Sequence, residues 1–469
     1  MPYIFKKYYP ARNLIFVLGE GLLVFFVING VFIFWTGLAL YSDLFALYLL
    51  RAVVVTFVFQ LCFYLFDLYD YTIIPRLFDH MLKVLQTFGF GCILLAFLYY
   101  IFPSLIISTA VFWSGLLAVG LGIFLWRLMY FLALERGLFT QPIALIGTGQ
   151  SASQIAEAIA NKKDSGFKIA AFVKCRSPQT EGGPETELKP GRDTPVYPEI
   201  KDLRGLCESR AIEKIVLALD EKRGMLPMQE LIQFKFMGMH ILDAVGFYEE
   251  LTGKIMVENL NPSWLLFSEG FYVGRTVRSL KRILDLGVAL SVFLITLPIF
   301  LASALVIKLE SPGGIFYVQE RVGKNGIPFK IIKFRSMRSD AETDGPVWAA
   351  AEDKRVTRFG RFIRKVRIDE LPQLLNVLKG DMSFVGPRPE RPVFVDTLAQ
   401  RIPFYTIRHV VKPGITGWAQ IYYPYGASEE DALHKLEYDL YYIKNLSIGM
   451  DLSTIFQTVK VVLFQKGAR

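Results

Sequence analysis

Long apolar runs separated by short polar segments dominate the first part of the chain. Each of four runs is close to the roughly 20 residues that cross a bilayer as a helix. They lie at residues 14–35, 44–66, 84–102 and 105–126. The pattern predicts a transmembrane domain of four helices over residues 1–136. Arg51, inside the second run, is near enough to one end to extend its head group to the membrane interface.

Basic residues flank each apolar run at only one of its two ends. They precede the first run, separate the second from the third and follow the fourth, whereas the two other short loops carry none. These residues are Lys6, Lys7, Arg12, Arg76, Lys83, Arg127 and Arg136. Because Lys and Arg accumulate in cytoplasmic loops, both ends of the bundle are expected in the cytoplasm, and the chain after residue 136 begins there.

Composition supports a membrane protein. Apolar residues make up 53% of the 469 residues, and the formal net charge is +9. Such a charge is compatible with nucleic-acid binding, but basic residues beside apolar segments more often meet anionic lipid head groups. We therefore expect membrane lipid as a partner and no nucleic acid. The four cysteines and four histidines are scattered, so neither a zinc site nor a disulfide framework is indicated.

Residues 137–275 have the pattern of an α/β domain. A buried-strand run at 143–146 is followed by the turn Gly147-Thr148-Gly149 and a helical segment, and residues 169–173 and 215–219 resemble further buried strands. This alternation predicts a parallel, Rossmann-like sheet. A dinucleotide site also needs an acid about 20 residues after the turn, and the next strand ends at Val173-Lys174 without one. A nucleotide-binding role and a purely structural or regulatory role both stay open.

A fifth apolar run covers residues 284–307 and contains Pro298. Basic residues crowd both of its sides, so a crossing helix would export a strongly basic domain, against the positive-inside tendency. A re-entrant helix over residues 282–308, broken at Pro298 and returning to the cytoplasmic face, fits this charge pattern better than a straight span. Ser291 and Thr296 are candidates to bond the carbonyls that the proline leaves free.

Two adjacent acids, Asp369 and Glu370, follow an amphipathic basic segment with apolar residues at 359, 362, 363 and 366. Nearby Arg and Lys lower the pKa of a carboxylate, which is then ready to hold a divalent metal or to attack phosphorus. The segment is expected to deliver the pair to the membrane surface. The alternative is structural, because acids ahead of a proline and an apolar run also complement a helix N-terminus.

Residues 281–464 resemble a known family, the bacterial polyprenyl-phosphate sugar-phosphate transferases, which are monotopic phosphoglycosyl transferases that initiate surface-polysaccharide assembly. The resemblance rests on several motifs that occur in order along the chain. They are Lys281-Arg282-x-x-Asp285, Phe329-Lys330-x-x-Lys333-Phe334-Arg335-Ser336-Met337, Asp369-Glu370-Leu371-Pro372-Gln373-Leu374-x-Asn376-Val377, Gly380-Asp381-Met382-Ser383-x-Val385-Gly386-Pro387-Arg388-Pro389, Lys412-Pro413-Gly414-Ile415-Thr416-Gly417-Trp418 and Tyr438-Asp439-x-Tyr441-Tyr442.

The resemblance implies a role for each matching residue in a catalytic domain over residues 276–469, mainly helical with some α/β structure. Asp369 would be the nucleophile, and Glu370, with Asp369, would hold Mg²⁺. The cations that bind substrate phosphate would be Lys333, Arg364 and Arg388, although surface charge is the alternative for the first two. Arg335 and Asp439 would support the site, and for Asp439 a structural ion pair is an equal alternative.

The implied reaction transfers a sugar 1-phosphate from a UDP-sugar to undecaprenyl phosphate, with release of UMP. The implied location is the bacterial inner membrane, with the catalytic domain on the cytoplasmic face, and the large branch of the family suggests a homodimer. Two rival hypotheses remain. One is a non-enzymatic membrane scaffold or nucleotide sensor, and the other is a transferase that exchanges the phospho-sugar directly between its substrates.

Overall fold

The computed structural model describes residues 3–4, 7–8, 11–69, 77–136, 140–162, 165–174, 195–197, 203–219, 228–258, 260–337, 355–423, 426 and 428–463. The chain divides into two compact units. The first consists mainly of Tyr8–Ala244 and the second mainly of Val245–Arg469.

The four predicted apolar runs each form a long helix. Two short paired strands, β1 (Tyr3–Ile4) and β2 (Lys7–Tyr8), come before them. The helices are α1 (Ala11–Asp43), α2 (Phe45–Leu65), α3 (Leu77–Ile101) and α4 (Thr109–Glu135). A 3₁₀ turn at Pro103–Leu105 joins α3 to α4. These four helices and a fifth, over Arg275–Glu310, are long and apolar enough to cross a membrane. The number of helices that span it stays a prediction.

A buried ion pair ties these helices together. Arg127 on α4 donates from Nε and Nη2 to the two carboxylate oxygens of Glu20 on α1, at 2.7 and 3.0 Å. Its Nη1 donates to the carbonyl of Leu68, after α2, and lies 3.0 Å from Nε2 of His80 on α3. Glu20 and Arg127 are fully buried. Sequence reasoning used Arg127 only as a marker of orientation, because its partner lies 107 positions away.

The predicted parallel sheet is confirmed. Its strands are β3 (Gln141–Ile146), β4 (Phe167–Val173), β5 (Val196–Tyr197), β6 (Lys214–Leu217) and β7 (His240–Asp243). They are all parallel, in the order β5-β4-β3-β6-β7. This is the strand order of the doubly wound nucleotide-binding folds. The accompanying helices are α5 (Gln150–Asn161), α6 (Leu203–Ser209) and α7 (Met228–Phe236).

The glycine turn after β3 has a clear packing role. Gly147 has φ of +124°, and a Cβ there would lie 2.2 Å from the carbonyl oxygen of Ala218, which follows β6. Only glycine permits this approach of two backbones without strain. The turn is thus explained by packing, and whether this domain binds a nucleotide stays open.

The second unit begins earlier than the sequence predicted. The expected boundary was 275/276, but Val245, Ile255 and Leu260 lie in one core with Leu440 and Tyr441 from the C-terminal part. This region contains α8 (Ala244–Thr252) and α9 (Pro262–Phe267). The side chains after residue 244 therefore complete the core of the second unit, while the predicted start of the catalytic domain at residue 276 stays a prediction. The expected boundary at 136/137 falls between the end of α4 and the start of β3, within the first unit, and it stays a prediction.

The fifth apolar run forms one continuous helix, α10 (Arg275–Glu310), which passes through Pro298. The expected division into two helices at this proline is therefore wrong. Thr296 donates to the carbonyl of Val292 at 2.7 Å, whereas the carbonyl that loses its partner to Pro298 is that of Leu294. The helix continues because one missing hydrogen bond does not end a helix held by packing on both sides of the gap.

The remaining elements form the rest of the second unit. Strands β8 (Phe316–Val322) and β9 (Pro328–Phe334) make an antiparallel hairpin, and β10 (Ser383–Val385) pairs in parallel with β11 (Gly414–Thr416). The helices are α11 (Arg358–Lys365), α12 (Gln373–Lys379), α13 (Pro392–Arg401), α14 (Trp418–Tyr422), α15 (Glu429–Lys444) and α16 (Ile448–Leu463). Further 3₁₀ turns are Lys324–Gly326, Ile368–Glu370 and Tyr405–Val410.

The buried pair in the helical bundle yields a stability prediction. Arg127→Met leaves the Glu20 carboxylate buried without its cation, and breaking such a pair costs about 3–5 kcal/mol. We expect a marked fall in the thermal unfolding temperature of the detergent-purified protein. Glu20→Gln combined with Arg127→Met is expected to recover part of the loss. Arg136→Met, at the exposed end of the bundle, is the control, and an equal loss there would contradict a special role for the pair.

Candidate active site

The two adjacent acids lie in a tight turn between α11 and α12. Arg367 has a left-handed backbone with φ of 58°, which is uncommon for a residue with a side chain and marks a constrained turn. The 3₁₀ turn Ile368–Glu370 follows at once, and α12 begins at Gln373. The acids therefore precede a helix, as the structural interpretation predicted. The residues around the two acids distinguish this structural interpretation from the catalytic one.

Glu370 is the acid that pairs with the cations. Arg388 Nη2 lies 2.8 Å from Glu370 Oε1, and Lys333 Nζ lies 3.6 Å from the same oxygen. Burial opposes ionisation of Glu370, but the charges of Arg388 and Lys333 and the hydrogen bond from Arg388 outweigh it. The pKa of Glu370 is therefore well below its usual range, as the sequence predicted for an acid among basic residues.

Asp369 is in the opposite situation. Within the part of the chain that the structure describes, its carboxylate accepts no hydrogen bond and forms no ion pair. Burial and the negative charge of Glu370 raise the pKa of Asp369 to about 6, although the charges of Lys333, Arg364 and Arg388 oppose this rise. The prediction of a lowered pKa is wrong for Asp369, because Glu370 takes the direct contacts of the cations.

Lys333 and Arg364 reach the acids from two different elements. Lys333 lies on β9, opposite Tyr317 of β8, and Arg321 lies on the same face of this hairpin. Arg364 is in the last turn of α11 and acts on Asp369 through its charge. Lys333 is not merely a solvated surface cation, since its Nζ lies 3.6 Å from Glu370 Oε1. For Arg364, which is half-buried, the alternative of surface charge stays open.

Arg388 is held by its own backbone. Gly386 donates to the carbonyl of Thr416 and Gly414 donates to that of Pro387, each at 2.9 Å. A Cβ on Gly386 would lie 2.4 Å from the carbonyl oxygen of Lys412, so glycine is required for the close approach. The Pro-Arg-Pro segment thus leaves the sheet in a fixed direction, and this direction brings the Arg388 guanidinium to Glu370.

Asp439 is connected to the site through Arg408, which contacts the backbone of Arg388. It is buried and pairs with Arg408 at 2.8 Å, and Arg408 donates to the carbonyl of Arg388 at 3.1 Å. Burial raises the pKa of Asp439 to about 6, although Arg408 opposes the shift. Of the two interpretations of Asp439, the structure favours the structural ion pair, and it identifies Arg408 as a residue that sequence reasoning missed.

Arg335 lies away from the acids. Its guanidinium donates to the carbonyls of Pro312, Ser311 and Ile307 at 2.9, 2.7 and 3.4 Å, and to Ser311 Oγ at 3.0 Å. It therefore satisfies carbonyls at the C-terminal end of α10. The structure does not bring Arg335 to the site, because Arg335 follows the end of β9 at Phe334 and its side chain turns toward the end of α10.

A narrow recess opens beside the acids. Its lining residues are Arg321, Ile331, Lys333, Gln373, Arg388 and Pro389. Neither Arg321 nor Gln373 was among the predicted site residues. Gln373 could have been recognised as a site residue from its position in the Asp-Glu-Leu-Pro-Gln motif. Arg321 is recognisable as a site residue only once β8 is paired with β9.

The two acids are candidate ligands for a divalent cation. No group of three or more His, Cys, Asp or Glu side chains able to hold a metal occurs among the described residues. Mg²⁺ commonly binds through one or two carboxylates, with substrate phosphates and water as the other ligands. Asp369 and Glu370 fit that donor set, with Asp369 as the acid that is not already paired.

The chain has recognisable relatives. Residues 276–465 match the bacterial sugar transferase family, and residues 64–230 match a family described as a CoA-binding domain. The UDP-N-acetylgalactosamine-undecaprenyl-phosphate N-acetylgalactosaminephosphotransferase of Aeromonas hydrophila is 46% identical over 223 residues, which cover 47% of this chain and 52% of that protein. The chain thus matches about half the length of this relative.

Two glucose-transferring relatives extend the comparison. The undecaprenyl-phosphate glucose phosphotransferase of Komagataeibacter xylinus is 32% identical over 336 residues, covering 70% of this chain and 60% of that protein. The UDP-glucose:undecaprenyl-phosphate glucose-1-phosphate transferase of Caulobacter vibrioides is 44% identical over 187 residues, covering 39% of this chain and 69% of that protein. On this coverage and on the motifs around Asp369, the chain belongs to the bacterial sugar transferase family.

Proposed function

We propose that this protein transfers a sugar 1-phosphate from a UDP-sugar to undecaprenyl phosphate and releases UMP, as the first membrane step in the synthesis of a surface polysaccharide. The observation that carries the proposal is the contrast between the two adjacent acids: Glu370 is paired with Arg388, whereas Asp369, beside three cations, has no ion-pair partner in the part of the chain that the structure describes. The names of the relatives support the donor and acceptor classes. These names include both N-acetylgalactosamine and glucose, so the sugar stays open.

The proposed reaction proceeds in two displacements at Asp369. A carboxylate oxygen of Asp369 attacks the β-phosphorus of the donor, and the bond between that phosphorus and the bridging oxygen breaks, so UMP leaves with the electron pair. The sugar phosphate is then held as an acyl phosphate. An oxygen of the lipid phosphate attacks the same phosphorus, releases the Asp369 carboxylate and forms the lipid diphosphate sugar. A pKa of about 6 keeps Asp369 largely ionised at neutral pH.

The other residues stabilise charge. Lys333, Arg364 and Arg388 face the phosphoryl oxygens, on which charge develops as the bridging bond breaks. Arg388 is well placed because its planar guanidinium can donate two parallel hydrogen bonds to a phosphate. Mg²⁺, held by Glu370 and Asp369, would neutralise charge on the diphosphate and polarise its oxygens.

We further propose that the protein spans the bacterial inner membrane with helices α1–α4 and inserts α10 from the cytoplasmic side. The support is the distribution of basic residues around the apolar runs, since Arg275, Arg278 and Lys281 precede the apolar part of α10 and Lys308 follows it. In this arrangement α10 bends at Pro298 while its helical structure continues, so that both of its ends remain in the cytoplasm with the active site. The homodimer suggested by the family resemblance stays a prediction.

The covalent intermediate can be trapped. Incubation of the membrane-embedded protein with a UDP-sugar and Mg²⁺, without lipid phosphate, is expected to add one hexose phosphate to the peptide that contains Asp369, as measured by mass spectrometry. Asp369→Asn is expected to abolish both the adduct and UMP release, because an amide cannot form the acyl phosphate. Asp396→Asn, an exposed acid on α13, is the matched control. Normal turnover by Asp369→Asn would disprove the proposed mechanism.

Substitution of Asp439 distinguishes a role in protein stability from a role in catalysis. Asp439→Asn keeps the shape of the side chain but leaves the buried Arg408 without its anion, so we expect a loss of about 3 kcal/mol in the free energy of unfolding. Because Asp439 does not touch the reacting groups, the folded fraction should still form the Asp369 adduct from the donor. An adduct that disappears while the unfolding temperature stays unchanged would instead indicate a direct catalytic role for Asp439.

The path of α10 can be tested with single cysteines. In a variant whose natural cysteines are serine, Arg275→Cys and Gly314→Cys flank α10 on exposed backbone. A re-entrant helix predicts that a membrane-impermeant maleimide labels both positions only from the cytoplasmic side. Ser42→Cys, at the end of α1, should label only from the opposite side. Labelling of Gly314→Cys from that opposite side would show that α10 crosses the membrane.

A further inference from the structure

The side chain of Gln373 is unexplained by packing alone. It is only 2% exposed, and its Nε2 has no hydrogen-bond partner within the described residues. A buried donor without a partner costs about 1–3 kcal/mol, so buried amides are rarely left in this state. Gln373 lines the recess beside the acids. A group that enters the recess can therefore accept the hydrogen bond that the protein leaves unmade.

The surroundings of Gln373 indicate what that group is. Three cations, Arg321, Lys333 and Arg388, line the same recess with Ile331 and Pro389. Arg321 is itself held in place, since it donates to Gln319 Oε1 at 2.7 and 3.0 Å and to the carbonyl of Pro389 at 3.1 Å. Several fixed cations select a polyanion, whereas a sugar hydroxyl or a uracil ring requires neutral donors and acceptors.

We propose that Gln373 is a substrate-binding residue whose carboxamide donates a hydrogen bond to a phosphate oxygen of the donor's diphosphate, between Arg321, Lys333 and Arg388. This rests on the proposed function, which supplies a nucleotide diphosphate to the recess. The Gln373 amide complements the cations because it adds a hydrogen-bond donor of defined direction without adding positive charge. It fixes the rotation of the diphosphate relative to Asp369, and a second acid in its place would repel the substrate.

The direct test is binding of UDP, which carries the diphosphate that all UDP-sugars share. Isothermal titration of UDP into the full-length protein in detergent with Mg²⁺ compares the wild type with Gln373→Leu. We expect the Kd for UDP to rise about 10- to 100-fold, the effect of losing one hydrogen bond to a charged group. The Kd for inorganic pyrophosphate should rise by a similar factor. Gln400→Leu, at an exposed position near the end of α13, is the matched control and should bind UDP normally.

A second variant keeps the test valid if the leucine variant folds poorly. Gln373→Glu has nearly the same shape and places a carboxylate among three cations, so a thermal unfolding temperature equal to or above that of the wild type is expected. Its affinity for UDP should nevertheless fall further than that of Gln373→Leu, because the new negative charge repels the diphosphate. A purely structural role predicts that a stable Gln373→Glu protein binds UDP as the wild type does, and that result would overturn the proposal.

The outcomes also separate this inference from the proposed function. Unchanged Kd values for UDP in both folded variants, with normal turnover of UDP-sugars by the wild type, would disprove only the role of Gln373. A wild type that binds UDP through Gln373 but forms no adduct on Asp369 with any UDP-sugar would disprove only the proposed reaction.

Discussion

The ion pair between Arg388 and Glu370 is the contact on which the rest of the site depends. It joins the turn before α12 to the Pro-Arg-Pro segment after β10, with a distance of 2.8 Å. Because Glu370 takes this cation and lies near Lys333, the adjacent Asp369 is half-buried and has no ion-pair partner among the described residues. Two neighbouring carboxylates thereby acquire opposite properties. One is firmly ionised and fixed in position, and the other is available to react or to bind a cation.

The apolar helix α10 helps to fix the position of the ion pair between Arg388 and Glu370. Lys281 donates to the carbonyl of Val385 at 3.0 Å and pairs with Asp451 at 2.8 Å. Asp285, one turn further along α10, accepts from Ser383 Oγ and from the backbone of Phe384, each at 2.9 Å. Both ends of β10 are therefore fixed to the first turns of α10. Since β10 leads directly to Arg388, the position of this cation depends on the helix that is proposed to enter the membrane.

The sequence predicted several parts of the site and fold well. The apolar runs, the parallel sheet and the group formed by Asp369, Glu370, Lys333 and Arg388 were all recognisable, because each follows from local periodicity or from a contiguous motif. Prediction failed where a distant partner decided the outcome. Arg335 lies in the same motif as Lys333 but bonds the end of α10, and Pro298 lies within a helix that continues through it.

The sequence by itself determined which residues are available and where helices and strands form, since hydrophobic periodicity and charge placement act over short distances. Only the tertiary structure decided which acid pairs with the cations, and it reversed the predicted pKa shift of Asp369. It also decided that Glu20 meets Arg127 inside the bundle and that Gln373 faces a recess lined by Arg321. These outcomes depend on burial and on contacts between residues far apart in the chain. The residues next to a charged group in the sequence determine neither its desolvation nor the distance to its partner.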